Sequence, residues 1–402
     1  MDLVCIFLSV LELILDTIST PMIFILLVFI LIVYHLLLYV VRDRKYLLDF
    51  RKWYDANPIP MNKLKEFPLV NFIIPAWEEG EVFKGCLTNL TQLKYPNLRA
   101  IVNAGGSKET IEIANSFKKN DTFTIVYQEK GGGKIKAIND CLSYIEEGLI
   151  FIMDADVYVS DYDLLKMVAK IVIDSESIVN CGLKPHKSQV HKISVRYLII
   201  NRNAWFRKKR AISNHKAVGP CALLTLDVIK SVGRFTEKRL IGDGDSMGSD
   251  VIKHNYTIFQ LISGGIESIT YPVKIREYLS QNIRWLQNFY YNKFKTKGKI
   301  ILNYLIFLIM SVYLFVFPFL LLLNVGLFLL GILLILNIYL KKLRKVLFFR
   351  LTYDRAFYGK TKLSFYIIII FYIYLDSIIT IYTFFEILVI GKKRFKKRKN
   401  IE

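Results

Sequence analysis

Leu149-Ile150-Phe151-Ile152-Met153-Asp154-Ala155-Asp156 decides the reading of this chain: five apolar residues in a row, then two carboxylates one residue apart. An apolar run of that length reads as a strand buried on both faces, as in parallel sheets. Residues 70–74, 99–102 and 124–126 read as strands too, and 82–93, 108–118 and 134–145 between them read as helices. Such alternation predicts an α/β fold with a Rossmann-like, mainly parallel sheet and right-handed crossovers. Ligands of these sheets sit beyond the carboxyl ends of the strands, where Asp154 and Asp156 fall.

The rest of the chain is a different material. Its 402 residues are 53% hydrophobic, with a mean hydropathy of +0.35. The excess is concentrated in residues 22–41, 300–340 and 363–390. The expected organisation is a membrane anchor over 1–41, a juxtamembrane linker over 42–65 and the α/β domain over 66–299. A transmembrane region over 300–390 and a basic tail over 391–402 follow.

Residues 22–41 are long enough to cross the hydrocarbon core, and 3–15 are apolar enough for a short interfacial helix. Lys and Arg are absent before the first span, whereas Arg42, Arg44, Lys45, Arg51 and Lys52 follow it. That asymmetry predicts a multi-pass protein of the cell membrane with its α/β domain facing the cytoplasm. Residues 300–340 supply two spans with a turn near Pro318 and Asn324, returning a basic 341–362 loop to the cytoplasm. Residues 363–390 suffice for one span, which would put the basic 392–399 tail outside, against the charge rule. A re-entrant or bent segment holding Asp376 and Glu386 against protein or water would reconcile these facts.

The net charge of +21 falls mainly next to apolar runs, which favours anionic lipid headgroups over nucleic acid. Five dispersed cysteines without a C-x-x-C pair exclude a disulfide framework and a zinc knuckle and read as buried free thiols.

Four clusters carry candidate chemistry. Asp154 and Asp156 can both reach one hard cation, Mg2+ or Mn2+, leaving positions open for phosphate oxygens. Pro75-Ala76-Trp77-Glu78-Glu79 ends the first strand where a nucleotide would lie, and Gly131-Gly132-Gly133-Lys134, with Asn139 beyond, opens a helix suited to phosphate. Gly242-Asp243-Gly244-Asp245 offers a carboxylate pair in a glycine-flanked loop, a candidate base for an acceptor hydroxyl, with Asp250 nearby as a helix-face charge. Gln281 and Arg284 share a helix face with Trp285 adjacent; Arg suits a diphosphate and Trp a sugar ring.

The order Pro-Ala-x-Glu-Glu, Gly-Gly-Lys, Asp-Ala-Asp, Gly-Asp-x-Asp, Gln-x-x-Arg-Trp and then membrane spans resembles the family 2 inverting glycosyltransferases of GT-A fold. Membrane synthases of the cellulose, chitin and hyaluronan type are the most similar, over about residues 66–300. The resemblance implies that Asp154 and Asp156 serve the donor diphosphate and its metal and that Asp243 is the general base. It places Gln281, Arg284 and Trp285 at the donor and acceptor site, Lys134 near the donor, and Pro75 and Glu79 at the nucleotide pocket. Two departures stand out. Ile241-Gly242-Asp243 replaces the usual Thr-Glu-Asp, leaving Asp245 to substitute for the lost acid. Asn103-Ala104-Gly105-Gly106-Ser107 replaces Asp-Asp-Gly-Ser, so a different base contact is expected.

The expected function is metal-dependent transfer of a hexose-type sugar from a nucleotide-diphosphate sugar to a growing polysaccharide or glycan acceptor. Transfer of one sugar to a polyprenyl phosphate or other lipid acceptor is the alternative, and a transporter with a non-catalytic soluble domain is a third reading. Partners are the donor, the acceptor, the lipid bilayer and, for so few spans, further copies of the chain.

Overall fold

The computed structural model describes residues 3–56, 58–128, 132–210, 218–237, 243–293, 298–352, 359 and 362–386. Its contacts divide the chain into two compact units. Of the described residues, one comprises those within 54–190 and 218–271; the other comprises those within 3–53, 191–210 and 272–386.

The first unit is built on eight strands: β1 (Val70–Trp77), β2 (Leu98–Gly105), β3 (Phe123–Tyr127), β4 (Leu149–Met153), β5 (Val157–Tyr158), β6 (Ile178–Pro185), β7 (Cys221–Thr225) and β8 (Phe259–Ser268). They lie in the order β3-β2-β1-β4-β7-β6-β8-β5. The β1–β2, β1–β4, β2–β3 and β6–β8 pairs are parallel. The β4–β7, β6–β7 and β5–β8 pairs are antiparallel. This is the mainly parallel GT-A architecture, and the four strands expected from sequence form its first half.

Every residue of β4 is buried, as its unbroken apolar run demands. Phe72 and Phe151 are partners in register and stack at 4.8 Å. Burying one such ring contributes about 1.5–3 kcal/mol. Helix Glu81–Thr91 buries Phe83, Cys86, Leu87 and Leu90, the spacing of one helical face against a sheet. Helix Lys108–Ser116 begins at Ser107, whose side chain accepts from the Thr110 backbone N–H at 3.1 Å.

The second unit is helical. Among the described residues, three stretches are long and apolar enough to cross a membrane: Pro21–Lys52, Val325–Leu351 and Leu363–Phe385. Leu305–Leu320 is a shorter apolar helix. The region 300–340 divides near the expected turn, Gly298–Leu320 being followed by Val325–Thr352 with the Asn324 side chain accepting from the Leu327 N–H at 3.1 Å. Of the two helices expected to span, only the second is long and apolar enough among the described residues. Two further expectations are corrected. Residues 341–352 are not loop: the helix continues through the basic cluster, because Lys and Arg are good helix formers. Leu363–Phe385 is one continuous helix rather than a bent segment, since its acids find polar partners without a bend. The 392–399 tail lies outside the described residues.

Charge is also enclosed near the first span. Arg344 donates from Nε and Nη2 to the two Asp43 oxygens, at 2.8 and 3.4 Å, and Arg344 Nη1 lies 3.1 Å from His35 Nδ1. All three side chains are buried. Helix Leu3–Ser19 occupies the segment expected to be interfacial. Cys86, Cys141, Cys181 and Cys221 are buried free thiols as expected, whereas Cys5 is exposed.

Candidate active site

Strand ends assemble the acidic site. β4 stops at Met153, and the Asp154 N–H donates to the Pro220 carbonyl at 3.2 Å. The Asp156 carbonyl accepts from the Ile269 N–H at 3.3 Å, tying the Asp-Ala-Asp turn to the residue after β8. The Asp156 carboxylate takes hydrogen bonds from the Ser268 hydroxyl at 3.2 Å and from the Thr270 hydroxyl. Two hydroxyls on one oxygen fix that side chain while its other oxygen stays available.

Lys134, at the start of helix Gly133–Leu142, forms an ion pair with the Asp154 carboxylate. Burial lowers its pKa, but the charge and hydrogen bond of Asp154 outweigh that, and Asp243 and Asp156 add to the rise. The ammonium is therefore held charged among three acids. Gly131 lies outside the described residues. Asn139, grouped above with this phosphate-type turn, is a structural residue: its amide exchanges hydrogen bonds with the Phe235 backbone at 2.9 and 3.0 Å in the core.

Glu79 completes the acidic group. Burial raises its pKa, and the charges of Asp156 and Asp154 raise it further against the opposing effect of Lys134. The Asp156 carboxyl is likewise raised, by burial first and by Asp154 next. Thr110 Oγ1 accepts from the Glu79 N–H and donates to the Glu79 carbonyl, both at 2.7 Å. Neighbouring Glu78 has a left-handed φ of 58°, a conformation that costs a non-glycine residue about 1–3 kcal/mol. Gly106 (φ 85°) makes this possible, because a Cβ there would sit 2.7 Å from Glu78 Cγ.

Pro75 sits in β1 opposite Asn103 of β2. Asn103 is fully buried, and neither polar atom of its amide finds a partner among the described residues.

Asp243 is not in a loop: it begins helix Asp243–Lys253, and both Asp243 and Asp245 lie in its first turn and are exposed. Acids in a first turn are favoured by the helix dipole, which explains the helix despite the glycine beside each. Gly244 packs on Val218, whose N–H donates to its carbonyl at 2.9 Å, and a Cβ there would meet the Val218 oxygen at 2.4 Å. Asp250 is on the helix but not solvated; it is buried and accepts from the Thr236 N–H at 2.9 Å.

Gln281, Arg284 and Trp285 belong to helix Ile275–Lys293 of the helical unit. Arg284 is exposed, Trp285 is half-buried, and the Gln281 Oε1 atom is buried without a partner among the described residues. Ser268, Thr270 and Thr110 escaped the sequence reading. The Ser-x-Thr after an apolar strand was the available signal, obscured because Gly264-Gly265 interrupts β8.

These residues also test whether a divalent metal suits the site. Asp154 and Asp156 offer hard oxygen ligands, and the raised Glu79 and Asp156 pKa values register negative charge that a cation would offset. Among the described residues no group of three or more acidic, histidine or cysteine side chains forms a metal cage. A two-carboxylate grip with remaining positions for phosphate and water is what the donor set fits.

Residues 71–233 match the family model for glycosyl transferase family 2. That match spans less than half of the chain.

The chain is 26% identical over 124 residues to the poly-beta-1,6-N-acetyl-D-glucosamine synthase of Staphylococcus epidermidis, covering 31% of the chain and 30% of the relative. It is 28% identical over 107 residues to the synthase of that name from Staphylococcus aureus strain COL, covering 26% of each. The similarity thus spans under a third of those relatives' own length. A mannosyltransferase from Pyrobaculum calidifontis, solved with GDP-Man and Mn2+, shares the fold at a TM-score of 0.54 and 15% identity, over 91% of this chain and 99% of that one.

Proposed function

We propose that this glycosyltransferase moves a sugar, with inversion, from a nucleotide-diphosphate sugar to a growing glycan at the cytoplasmic face of a membrane. The observation that carries the proposal is the convergence of Glu79, Lys134, Asp154 and Asp156 at the strand ends, with Asp243 near enough to act on Lys134. Asp154 and Asp156 would hold Mg2+ or Mn2+, which when bound offsets charge on the leaving diphosphate. Lys134 adds a fixed positive charge on the same side. Ser268 and Thr270 keep Asp156 aimed, and Asp243 takes the proton from the acceptor hydroxyl. Gln281, Arg284 and Trp285 would take the substrate-binding roles that the family resemblance implies for them, and Asp245 would support the base.

The relatives' name supports N-acetylglucosamine as the first sugar to test and a polymer as the product. Transfer of one sugar to a polyprenyl phosphate or other lipid acceptor is the second reading. Full-length chain in lipid nanodiscs, given labelled UDP-GlcNAc, UDP-Glc or GDP-Man with Mn2+, separates them. A ladder of products supports polymerisation, one lipid-linked band supports the alternative, and no transfer from any donor rejects both.

A further inference from the structure

Asp376 is a carboxylate in the middle of the membrane-length helix Leu363–Phe385. Acids at such a depth are costly and are kept where they bind, conduct or organise. Here three groups converge on one carboxylate. The Tyr278 hydroxyl donates to Oδ1 at 2.6 Å, the Tyr197 hydroxyl to Oδ2 at 2.8 Å, and the Lys342 ammonium to Oδ2 at 2.9 Å. Three helices besides its own are thereby joined at one residue.

Tyr278 lies one turn before Gln281, on the helix that also carries Arg284 and Trp285. Its ring and that of Tyr197 are only 2% exposed. Tyr197 stacks on Tyr372 at 4.3 Å, and Tyr278 meets Tyr372 edge-on at 5.1 Å. Burial first, and the Asp376 charge next, raise both phenol pKa values, so both hydroxyls remain donors. A second bond joins the same two helices further along, where Gln287 donates to the Glu386 carboxylate. Both bonds advance in the same direction, so helices Ile275–Lys293 and Leu363–Phe385 run parallel. Between the two clamps lies a cavity of about 390 Å³ lined by Asn282, Trp285, Leu286, Asp376, Ile379 and Thr380.

We infer that Asp376 is a positioning residue: by holding Tyr278 it fixes the helix that presents Gln281, Arg284 and Trp285, so a carboxylate of the membrane bundle sets the placement of the substrate-binding motif. The geometry stands alone; the consequence for turnover rests on the proposed transferase reading. Asp376 is also the ion-pair partner of Lys342, whose ammonium donates to Asn201 Oδ1 as well, at 3.1 Å. The two phenols lose their acceptor if Asp376 is truncated.

The test uses the full chain in nanodiscs and four variants: Asp376→Ala, Asp376→Asn, Asp376→Asn with Lys342→Met, and Asp376→Ala with Lys342→Met. Amide hydrogen exchange in 278–286 and steady-state transfer are measured. Asp376→Ala is expected to speed that exchange about tenfold with β4 unchanged. It should also lower kcat about tenfold while the donor KM stays within about twofold. Asp376→Asn with Lys342→Met keeps an acceptor for the tyrosines without a stranded ammonium, and should restore both readouts to within about threefold of wild type. Asp376→Ala with Lys342→Met should restore neither. Unchanged exchange in Asp376→Ala, or equal recovery by the two double variants, overturns the inference. A wild-type chain that transfers no sugar defeats the transferase reading instead, and the exchange data still decide the tether.

Discussion

The Lys134 ammonium is ion-paired to the Asp154 carboxylate, one of the two acids that end β4. The pair brings a helix start and a strand end together and places a resident cation where a metal would compete for the Asp154 oxygen and donor phosphates for the ammonium. Lys134→Met should therefore act in two directions. The donor KM rises about tenfold as a charge-assisted contact is lost. The Mn2+ concentration for half-maximal activity falls, because Asp154 is released. Steady-state kinetics with donor and metal varied separately check both.

Asp156→Asn removes a ligand charge while keeping the hydrogen bonds from Ser268 and Thr270. Stabilisation of leaving-group charge is a transition-state effect, so kcat should fall about 100-fold or more with a smaller change in donor binding. Thr270→Val leaves the acid but loosens its aim, and a loss of about tenfold or less is expected. Isothermal titration of donor alongside turnover separates the two effects.

Crowding of Glu79, Asp154 and Asp156 also predicts a pH signature. The Glu79 and Asp156 pKa values are raised in the folded chain, so folding takes up protons there. Burial of the two charged carboxylates, with the repulsion among the acids adding to it, destabilises the fold above the raised values, and the effect vanishes below the ordinary carboxylate range. In a chelator, wild type should lose stability relative to Asp156→Asn as pH rises through that window. Saturating Mn2+ should abolish the difference at the high-pH end. Thermal unfolding at a series of pH values reads it directly.

In the helical unit, Asp43→Ala would strand the Arg344 guanidinium, which is paired with both Asp43 oxygens and buried. Breaking one side of such a pair costs about 3–5 kcal/mol. A lower unfolding temperature is expected, and Asp43→Ala combined with Arg344→Met should recover most of it.

Much of this was legible in the residues. The apolar run 149–153 is buried throughout, and the acids after it lie at the strand end where a parallel sheet places ligands. Lys134 and Glu79 joined them as their flanking strands and helices implied. β5 to β8 were not read from the sequence: β5 is two residues long, and β8 carries Gly264-Gly265, which breaks its alternation. Asp243 looked like a loop residue because of its glycines, yet the acids themselves favour the first helical turn. Asp376 read as a reason to bend its helix. Its partners Tyr197, Tyr278 and Lys342 are far away in sequence, and only tertiary packing reveals that no bend is needed.

The central claim is that Asp243 takes the acceptor proton in a metal-assisted sugar transfer. Asp243→Asn, assayed as full chain in nanodiscs with saturating donor and Mn2+, tests it most directly. The expected result is intact donor binding with kcat reduced about 100-fold or more. Transfer at the wild-type rate by Asp243→Asn would contradict the account.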